Sequence, residues 1–426
     1  MKKLILLLIT LLLVLTSLGV AFATNGDNLI GIGPISRAMG GVGVASPQDA
    51  ISALYGNPSS LNCSGSCPGS EVDFGGTLFI PTPSTSVNVG TNGNSANSAS
   101  KVYPIPSFGL AVPLADQWRF GIAAYGVAGL GVDYRNSAID RPNYYDFSTL
   151  YGKPAGTITY PLSGAQFSQF SMLQISPAVS YSPTKDFSIG VAAKINYGTL
   201  DFGAGSSTGY GLGAQLGLTY RPIDMVSLGL VYTSPIPTTY KSLYDFSGTG
   251  TKNDMKLEAP QQIALGVSVE PVKDTFLLET DVKWINWADA DGYKDFDWKN
   301  QWVLGVGAQF KPVKGFALRA GYDYGKNPVN LHNNFVGASM ASLQGHSMPA
   351  YYFENFRIVG FPALVEHHLT LGFGYDFSTR FALNVGYMHA FSNSLTENGV
   401  NMMGTPVALT SKLSEDSIEF GLTWKF

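Results

Sequence analysis

Apolar and polar or small residues alternate strictly through Ile418-Glu419-Phe420-Gly421-Leu422-Thr423-Trp424-Lys425-Phe426, and the run stops on an aromatic. A period of two belongs to a strand whose two faces meet different media. The same period recurs along the chain. Phe187, Ile189, Val191, Ala193, Ile195 and Tyr197 share one face, while Ser188, Gly190, Ala192, Lys194 and Asn196 share the other. Leu369, Leu371, Phe373 and Tyr375 oppose Thr370, Gly372 and Gly374, and Phe381, Leu383, Val385 and Tyr387 oppose Ala382, Asn384 and Gly386. Fourteen segments read as strands: 72–80, 107–114, 118–126, 171–182, 187–198, 211–220, 226–233, 261–270, 275–284, 301–310, 316–324, 367–376, 380–390 and 417–426. An even number of antiparallel strands, with aromatics near their ends, predicts an all-β fold: a 14-stranded antiparallel transmembrane β-barrel.

The connections support this reading, because they alternate between short and long. Short ones are 115–117, 183–186, 221–224, 271–274, 312–315 and 377–379, all but the last carrying the Pro, Asp or Gly of a polar turn. Long ones are 81–106, 127–170, 234–260, 325–366 and 391–416, with lesser members at 199–210 and 285–300. In a bacterial barrel the short turns face the periplasm and the long loops face outside, which puts both termini on the periplasmic side. A soluble β-sandwich would alternate too, but would bury its apolar face and need no aromatic end-strand.

The N-terminus reads as an export signal. Lys2 and Lys3 precede the apolar run Leu4 to Val20, and Ala21-Phe22-Ala23 is an A-x-A cleavage box, so cleavage is expected after Ala23. No later stretch approaches the roughly 20 apolar residues of a spanning helix. Charged residues make up 13 % and aromatics 12 %, with 49 Gly. That is too little charge for an ordinary soluble protein and too much polarity for a helical membrane protein. The net charge of −4 argues against a nucleic-acid partner. Cys63 and Cys67 are the two cysteines, and in an exported chain they are expected to form a disulfide. They lack the His or third Cys of a metal site, and no cofactor is implied.

About fifty residues separate the cleavage site from the first strand. They are rich in Gly and small residues, with short helices expected over 35–39 and 47–55. The segment cannot bury a core of its own, yet it is too apolar and too poor in charge for a disordered tail. A lumen of fourteen strands needs filling or becomes a channel. The segment is therefore read as a hatch, a plug inside the lumen. The resulting organisation is 1–23 signal peptide, 24–70 hatch and 71–426 barrel.

Ser36-Arg37-Ala38-Met39-Gly40-Gly41-Val42-Gly43-Val44-Ala45, followed by Asp49-Ala50 and Asn57-Pro58, resembles the hatch of the FadL/TodX family of outer-membrane transporters. That hatch has an R-A-x-x-G-x-G-x-A pattern and then Asn-Pro-Ala; here Ser59 replaces the last Ala. The stretch Ala259–Gly266 leading into Asp281–Trp287 is similar to the family's paired-Trp strand. Pro362 to Gly372 is similar to its P-x-x-x-E-x-H-x-T-x-G segment. The hatch residues carried over are Arg37, Gly40, Gly41, Gly43, Asp49, Asn57 and Pro58. The resemblance implies passive uptake of long-chain fatty acids or aromatic hydrocarbons. Apolar outer loops would capture the ligand, the hatch would rearrange, and exit would be sideways near a kinked third strand. Implied partners are the hydrophobic ligand, outer-membrane lipid and lipopolysaccharide, and the barrel-assembly machinery acting on Phe426. A monomer is expected.

Candidate sites follow. The loop 325–366 carries Phe335, Met340, Met348, Tyr351, Tyr352, Phe353, Phe356 and Phe361. Exposed, such a loop would be a ligand surface; alternatively, the loops pack together and close the barrel mouth. Gly126, Gly129 and Gly131, at the end of the third strand, are candidates for a kink and a lateral opening. By parity Lys194, Glu279, Asp281, Lys283, Arg319 and Glu419 face inward. They could form a cationic site for a carboxylate, or ion pairs between wall and plug involving Arg37 and Asp49.

Catalysis is not expected. The five histidines are His332, His346, His367, His368 and His389. An outer-membrane lipase would need Ser and His in hydrogen-bond reach. His389 lies three residues before Ser392, but parity turns it outward with Tyr387, and the G-x-S-x-G stretch Gly205 to Gly209 lies between two predicted strands rather than on the strand-to-helix turn of a nucleophile elbow. His367 and His368 are expected at the extracellular rim. A general porin or an adhesin is the remaining alternative, and neither explains a hatch.

Overall fold

The computed structural model describes residues 25–62, 70–140, 144–146, 148–161 and 166–426. The export signal and the pair Cys63 and Cys67 lie outside the described residues.

Fourteen strands make the wall: β1 (Glu71–Pro81), β2 (Tyr103–Ala115), β3 (Trp118–Asp133), β4 (Phe167–Thr184), β5 (Phe187–Asp201), β6 (Ser207–Ile223), β7 (Val226–Thr233), β8 (Gln262–Val272), β9 (Phe276–Ile285), β10 (Gln301–Val313), β11 (Phe316–Gly325), β12 (His367–Asp376), β13 (Phe381–Val400) and β14 (Pro406–Lys425). Each pairs antiparallel with the next. β1 pairs with β14 from Glu71↔Lys425 to Pro81↔Glu415, so the barrel is closed. Closure satisfies every strand edge, as a sheet in lipid requires.

The alternation decides which way side chains point. Leu212, Leu265, Leu304, Leu371 and Leu422 are exposed on the outer face. Trp118, Tyr220, Phe310, Tyr375, Phe381 and Trp424 lie at the short-turn end, and Tyr210, Tyr232, Trp302 and Tyr324 at the long-loop end, all exposed. Those are the two aromatic girdles of a membrane-spanning barrel.

Several strands run further than the periodicity predicts. β3 continues past Gly126 to Asp133, while β13 and β14 extend to Val400 and back from Pro406. The connection read as 391–416 is therefore mostly strand. Above the rim its partners are a hairpin, Ser84–Val89 with Asn92–Asn97, which pairs with β14 from Ser84↔Lys412 to Val89↔Val407. Phe335 and Val336 add a short parallel stretch to β13. A second hairpin, Ile236–Tyr244 with Asn253–Ala259, folds down inside the upper lumen against β5 and β6. It can do so because Gly198, Gly209, Gly211 and Gly213 face it. A β-carbon on Gly198 would sit 2.0 Å from the Tyr240 hydroxyl, and one on Gly213 would sit 2.5 Å from Ile236.

Candidate functional site

Residues 25–62 fill the lumen. Helix α1 (Pro34–Ala38) lies against β11 to β14, and helix α2 (Ala50–Gly56) against β1 to β4. Asp49 caps α2, its carboxylate accepting from the Ser52 amide at 2.6 Å. The turn between the helices needs glycine: Gly40 and Gly41 have φ of 69° and 73°.

The wall grips this plug in two ways. The first is contact without side chains. Gly75, Gly109, Gly121, Gly190, Gly217, Gly229, Gly266, Gly307, Gly321, Gly372, Gly386 and Gly421 form a girdle in which a β-carbon would strike the plug or its flanking wall atoms. Several are direct cross-strand partners: Gly75↔Gly421, Gly190↔Gly217, Gly229↔Gly266, Gly307↔Gly321 and Gly372↔Gly386. A β-carbon on Gly229 would sit 2.1 Å from the Val44 carbonyl oxygen, and one on Gly307 would sit 2.4 Å from that of Met39. β4 and β9 supply no glycine to the girdle.

The second grip is polar, and β9 supplies much of it. Asp281 accepts from the Gly43 and Val44 amides at 2.9 and 3.1 Å, and Glu279 from the Ala45 and Ser46 amides at 2.8 and 3.0 Å. Two carboxylates thus hold four consecutive backbone N–H groups. Arg37 pairs with Glu419 at 2.7 Å and donates to Ser417 at 2.9 Å, with both charged side chains buried. Asp73 accepts from the Ala50 amide at 2.8 Å, and the Asn57 side-chain amide donates to the Leu218 carbonyl of β6 at 3.1 Å. Lys283 donates to the carbonyls of Ile30 and Gly41. Arg319 instead bonds within the wall, to Gln309 and Asn384.

Lys194 is fully buried on β5. Its ammonium donates to the Leu54 carbonyl at 2.8 Å and to the Tyr125 hydroxyl at 3.2 Å, both neutral groups. It lines a cavity of about 70 Å³ together with Asp27, Asn28, Val127, Ala128, Phe170, Met172 and Tyr293. At roughly 10–15 Å³ per water, such a space holds a few waters and no hydrocarbon chain.

One wall of that cavity is the irregular part of β3. The register between β3 and β4 slips at Val127, between Gly126 and Ala128. That slip is a β-bulge, which locally opens the ladder. Gly129 and Gly131 continue the strand beyond it, paired with Ser171 and Gln169. The N-terminal limb Asn25–Leu29 covers the bulge: Leu29 donates to the Val127 carbonyl at 3.1 Å, Gly129 donates to the Asp27 carbonyl at 3.0 Å, and Asn28 forms a bridge with Ala128. On its other side the limb meets aromatics. A β-carbon on Gly26 would sit 2.5 Å from the Trp287 ring, and the Tyr293 hydroxyl donates to the Asp27 carboxylate.

The loop 325–366 does not stand in solvent. Phe335, Met348, Tyr351, Tyr352, Phe353 and Phe361 are buried, Phe356 is half-buried and Met340 alone of the eight is exposed. The segment 350–360, helix α3 (Ala350–Asn355) with a π-turn (Phe356–Gly360), forms a lid over the lumen. Its apolar side joins an aromatic cluster: Phe356 lies 4.7 Å from Phe202 and Phe361 lies 6.0 Å from Trp298, which in turn lies 5.0 Å from Trp287. Arg357 is buried and donates to Glu354, to Glu397 at 3.2 Å and to the Phe296 carbonyl at 2.8 Å. His332 touches Glu354 through Nδ1 at 2.9 Å and Asp297 through Nε2 at 3.0 Å. Its hydrogen bond to Glu354 raises its pKa above the ordinary value; partial burial opposes this and Asp297 reinforces it. Burial would raise Glu354 and Asp297, but hydrogen bonds from His332 to both, and from Asn330 to Asp297, leave each below the usual carboxylate range.

The other histidines differ from one another. His368, at the long-loop end of β12, turns inward and is buried against Asp323 at 3.1 Å, whereas His367 faces outward beside Tyr322 and Tyr324. His389 meets Asp416 at 2.9 Å on the outer rim, where Tyr387 also donates to Asp416. Neither arrangement sets a histidine against a serine nucleophile.

No family profile and no curated protein matches the chain. Solved structures do. The Pseudomonas putida toluene transporter TodX shares 19 % identity over 95 % of this chain and 100 % of its own, with a TM-score of 0.63. A Pseudomonas aeruginosa FadL homologue shares 15 % over 94 % and 100 %, with a TM-score of 0.67. The Ralstonia pickettii toluene transporter TbuX shares 16 % over 94 % and 99 %, with a TM-score of 0.59. At such identities the likeness is one of architecture: the chain has the fold of the FadL/TodX barrels, a closed wall of fourteen strands around an N-terminal plug.

Proposed function

We propose that this barrel carries hydrophobic compounds passively across the bacterial outer membrane. They would enter beneath the lid and leave sideways through the bulge in β3. One observation carries the reading: the lumenal cavity is lined on one side by Val127 and Ala128 of the β3 bulge, and the limb Asn25–Leu29 is what covers the bulge there. The plug body, by contrast, is fixed by the glycine girdle and by Glu279, Asp281 and Glu419. An axial route would have to break all of those contacts; a lateral route breaks two backbone hydrogen bonds between the limb and β3, with the side-chain contacts of Asp27 to Tyr293 and Asn25 to Asp323. The likeness to toluene transporters and a FadL homologue supports an apolar cargo. The buried ammonium of Lys194, held by neutral partners only, favours a cargo with a polar or anionic end.

The test is a reversible lock. Asn28 and Ala128 are bridge partners, within the reach of a disulfide. In a Cys63→Ser/Cys67→Ser background, Asn28→Cys with Ala128→Cys should abolish uptake of labelled oleate and labelled toluene by cells lacking their own transporter, and reductant should restore it. Uptake that persists with the lock closed would refute the lateral route. Faster oleate than toluene uptake by the unlocked protein would assign a fatty-acid-like cargo, and the reverse an aromatic hydrocarbon.

A further inference from the structure

The lid is fastened by a group of charges that the transport reading leaves unused. His332 is its pin. Carboxylate oxygens lie against both ring nitrogens, Glu354 at Nδ1 and Asp297 at Nε2. A neutral imidazole carries one N–H; its other nitrogen presents a lone pair. Both contacts are hydrogen bonds only when the ring is an imidazolium. The backbone joins in: the His332 amide donates to Glu397 on β13 at 2.6 Å. Arg357 is the second cation, shared between Glu354 and Glu397. Two cations therefore face three carboxylates, Asp297, Glu354 and Glu397, drawn from the 286–300 connection, the lid and the β13 extension. Burial and the neighbouring Glu354 push the Glu397 carboxyl up to about 7, so raising the pH both ionises Glu397 and removes the proton from His332; one cation then faces three anions and one imidazole contact becomes repulsive.

We infer that the lid is a pH-operated strap, held shut by protonated His332 bridging Glu354 and Asp297. The ring is part-exposed, so bulk protons reach it. Its pKa is raised by the carboxylate contacts, so the stabilisation it gives is complete below its ordinary value of about 6.5 and is lost as pH rises through the raised value. Glu354 and Asp297 are held below the usual carboxylate range, so both stay ionised throughout the range in which His332 titrates. The strap is thus closed from mildly acid to neutral pH and loosens on the alkaline side. Because Phe356 and Phe361 connect the lid to the aromatics under which the limb sits, loosening it frees the roof of the cavity.

The inference concerns the lid itself and stands whatever the cargo. Its test is amide hydrogen exchange of lid peptides 346–361 in micelles, from pH 6 to 9, corrected for the intrinsic rate. Wild type should lose protection, by up to about tenfold per pH unit, above the His332 pKa. His332→Gln should exchange fast at every pH, and His332→Arg, a permanent cation, should stay protected at pH 9. Heat-modifiable gel mobility reports whether each barrel is folded. A pH-independent wild type, or His332→Gln as well protected as wild type at pH 6, overturns the inference.

Discussion

At the residue scale, the plug is held by a small number of buried polar contacts whose loss is severe. Arg37→Ala would leave Glu419 buried without its cation, and breaking one side of a buried pair costs about 3–5 kcal/mol. The expected result is a lower midpoint for plug release and a new leak of small polar solutes, read by thermal unfolding and by a liposome swelling assay. Unchanged swelling would separate Arg37 from plug docking. Strand parity placed Lys194, Glu279, Asp281, Arg319 and Glu419 inside the wall, and they are buried there. Parity says nothing about partners: Glu279 and Asp281 hold backbone amides, which leave no trace in a side-chain pattern. Nor does it single out the girdle glycines, because glycine is scattered throughout and only the plug's approach distinguishes Gly229 or Gly307.

At the scale of elements, the fourteen strands were legible because lipid on one side and plug on the other impose a strict period of two. Above the rim that contrast ends. Ser392, Asn393, Ser394 and Asn398 on β13 have water or other loops on both sides, so the extensions of β13 and β14 read as loop. The lid was ambiguous in the sequence for a related reason. Its aromatics fitted either an exposed capture surface or loops closing the barrel mouth, because composition cannot distinguish a loop facing solvent from one that packs on Phe202, Phe296 and Trp298. The aromatic cluster makes a prediction. Phe361 is 1 % exposed, and Phe361→Ala should cost about 3–5 kcal/mol locally. Hydrogen exchange should then rise in the lid and also in residues 25–29. Faster exchange in the lid alone would show that lid and limb are not coupled through Trp298 and Trp287.

For the whole molecule, wall and plug are complementary surfaces that divide the work. The girdle fixes the plug body, and the limb alone sits on an irregular strand. Deleting residues 24–61 should leave a barrel that still shows heat-modifiable mobility but passes small polar solutes; a tight barrel after deletion would mean that other loops seal the lumen. The sequence resemblance pointed to the plug, and the structure adds why it stays in place: five cross-strand glycine pairs at one level leave room for a second backbone, and carboxylates at that level receive its amides.

The girdle also crosses the seam where the first strand meets the last. Pro34 rests on Gly421 of β14, and Ile51 on Gly75 and Gly109 of β1 and β2. The two strands furthest apart in sequence are therefore spanned by one short segment. Closing that seam is the most entropically demanding contact in the chain, since it joins residues some 350 positions apart. Because the plug binds both sides, it offers a mandrel that would hold the seam strands at the right separation while they pair. Chains without it should reach the closed form, but more slowly, and the time course of the heat-modifiable band during refolding into micelles would show the delay.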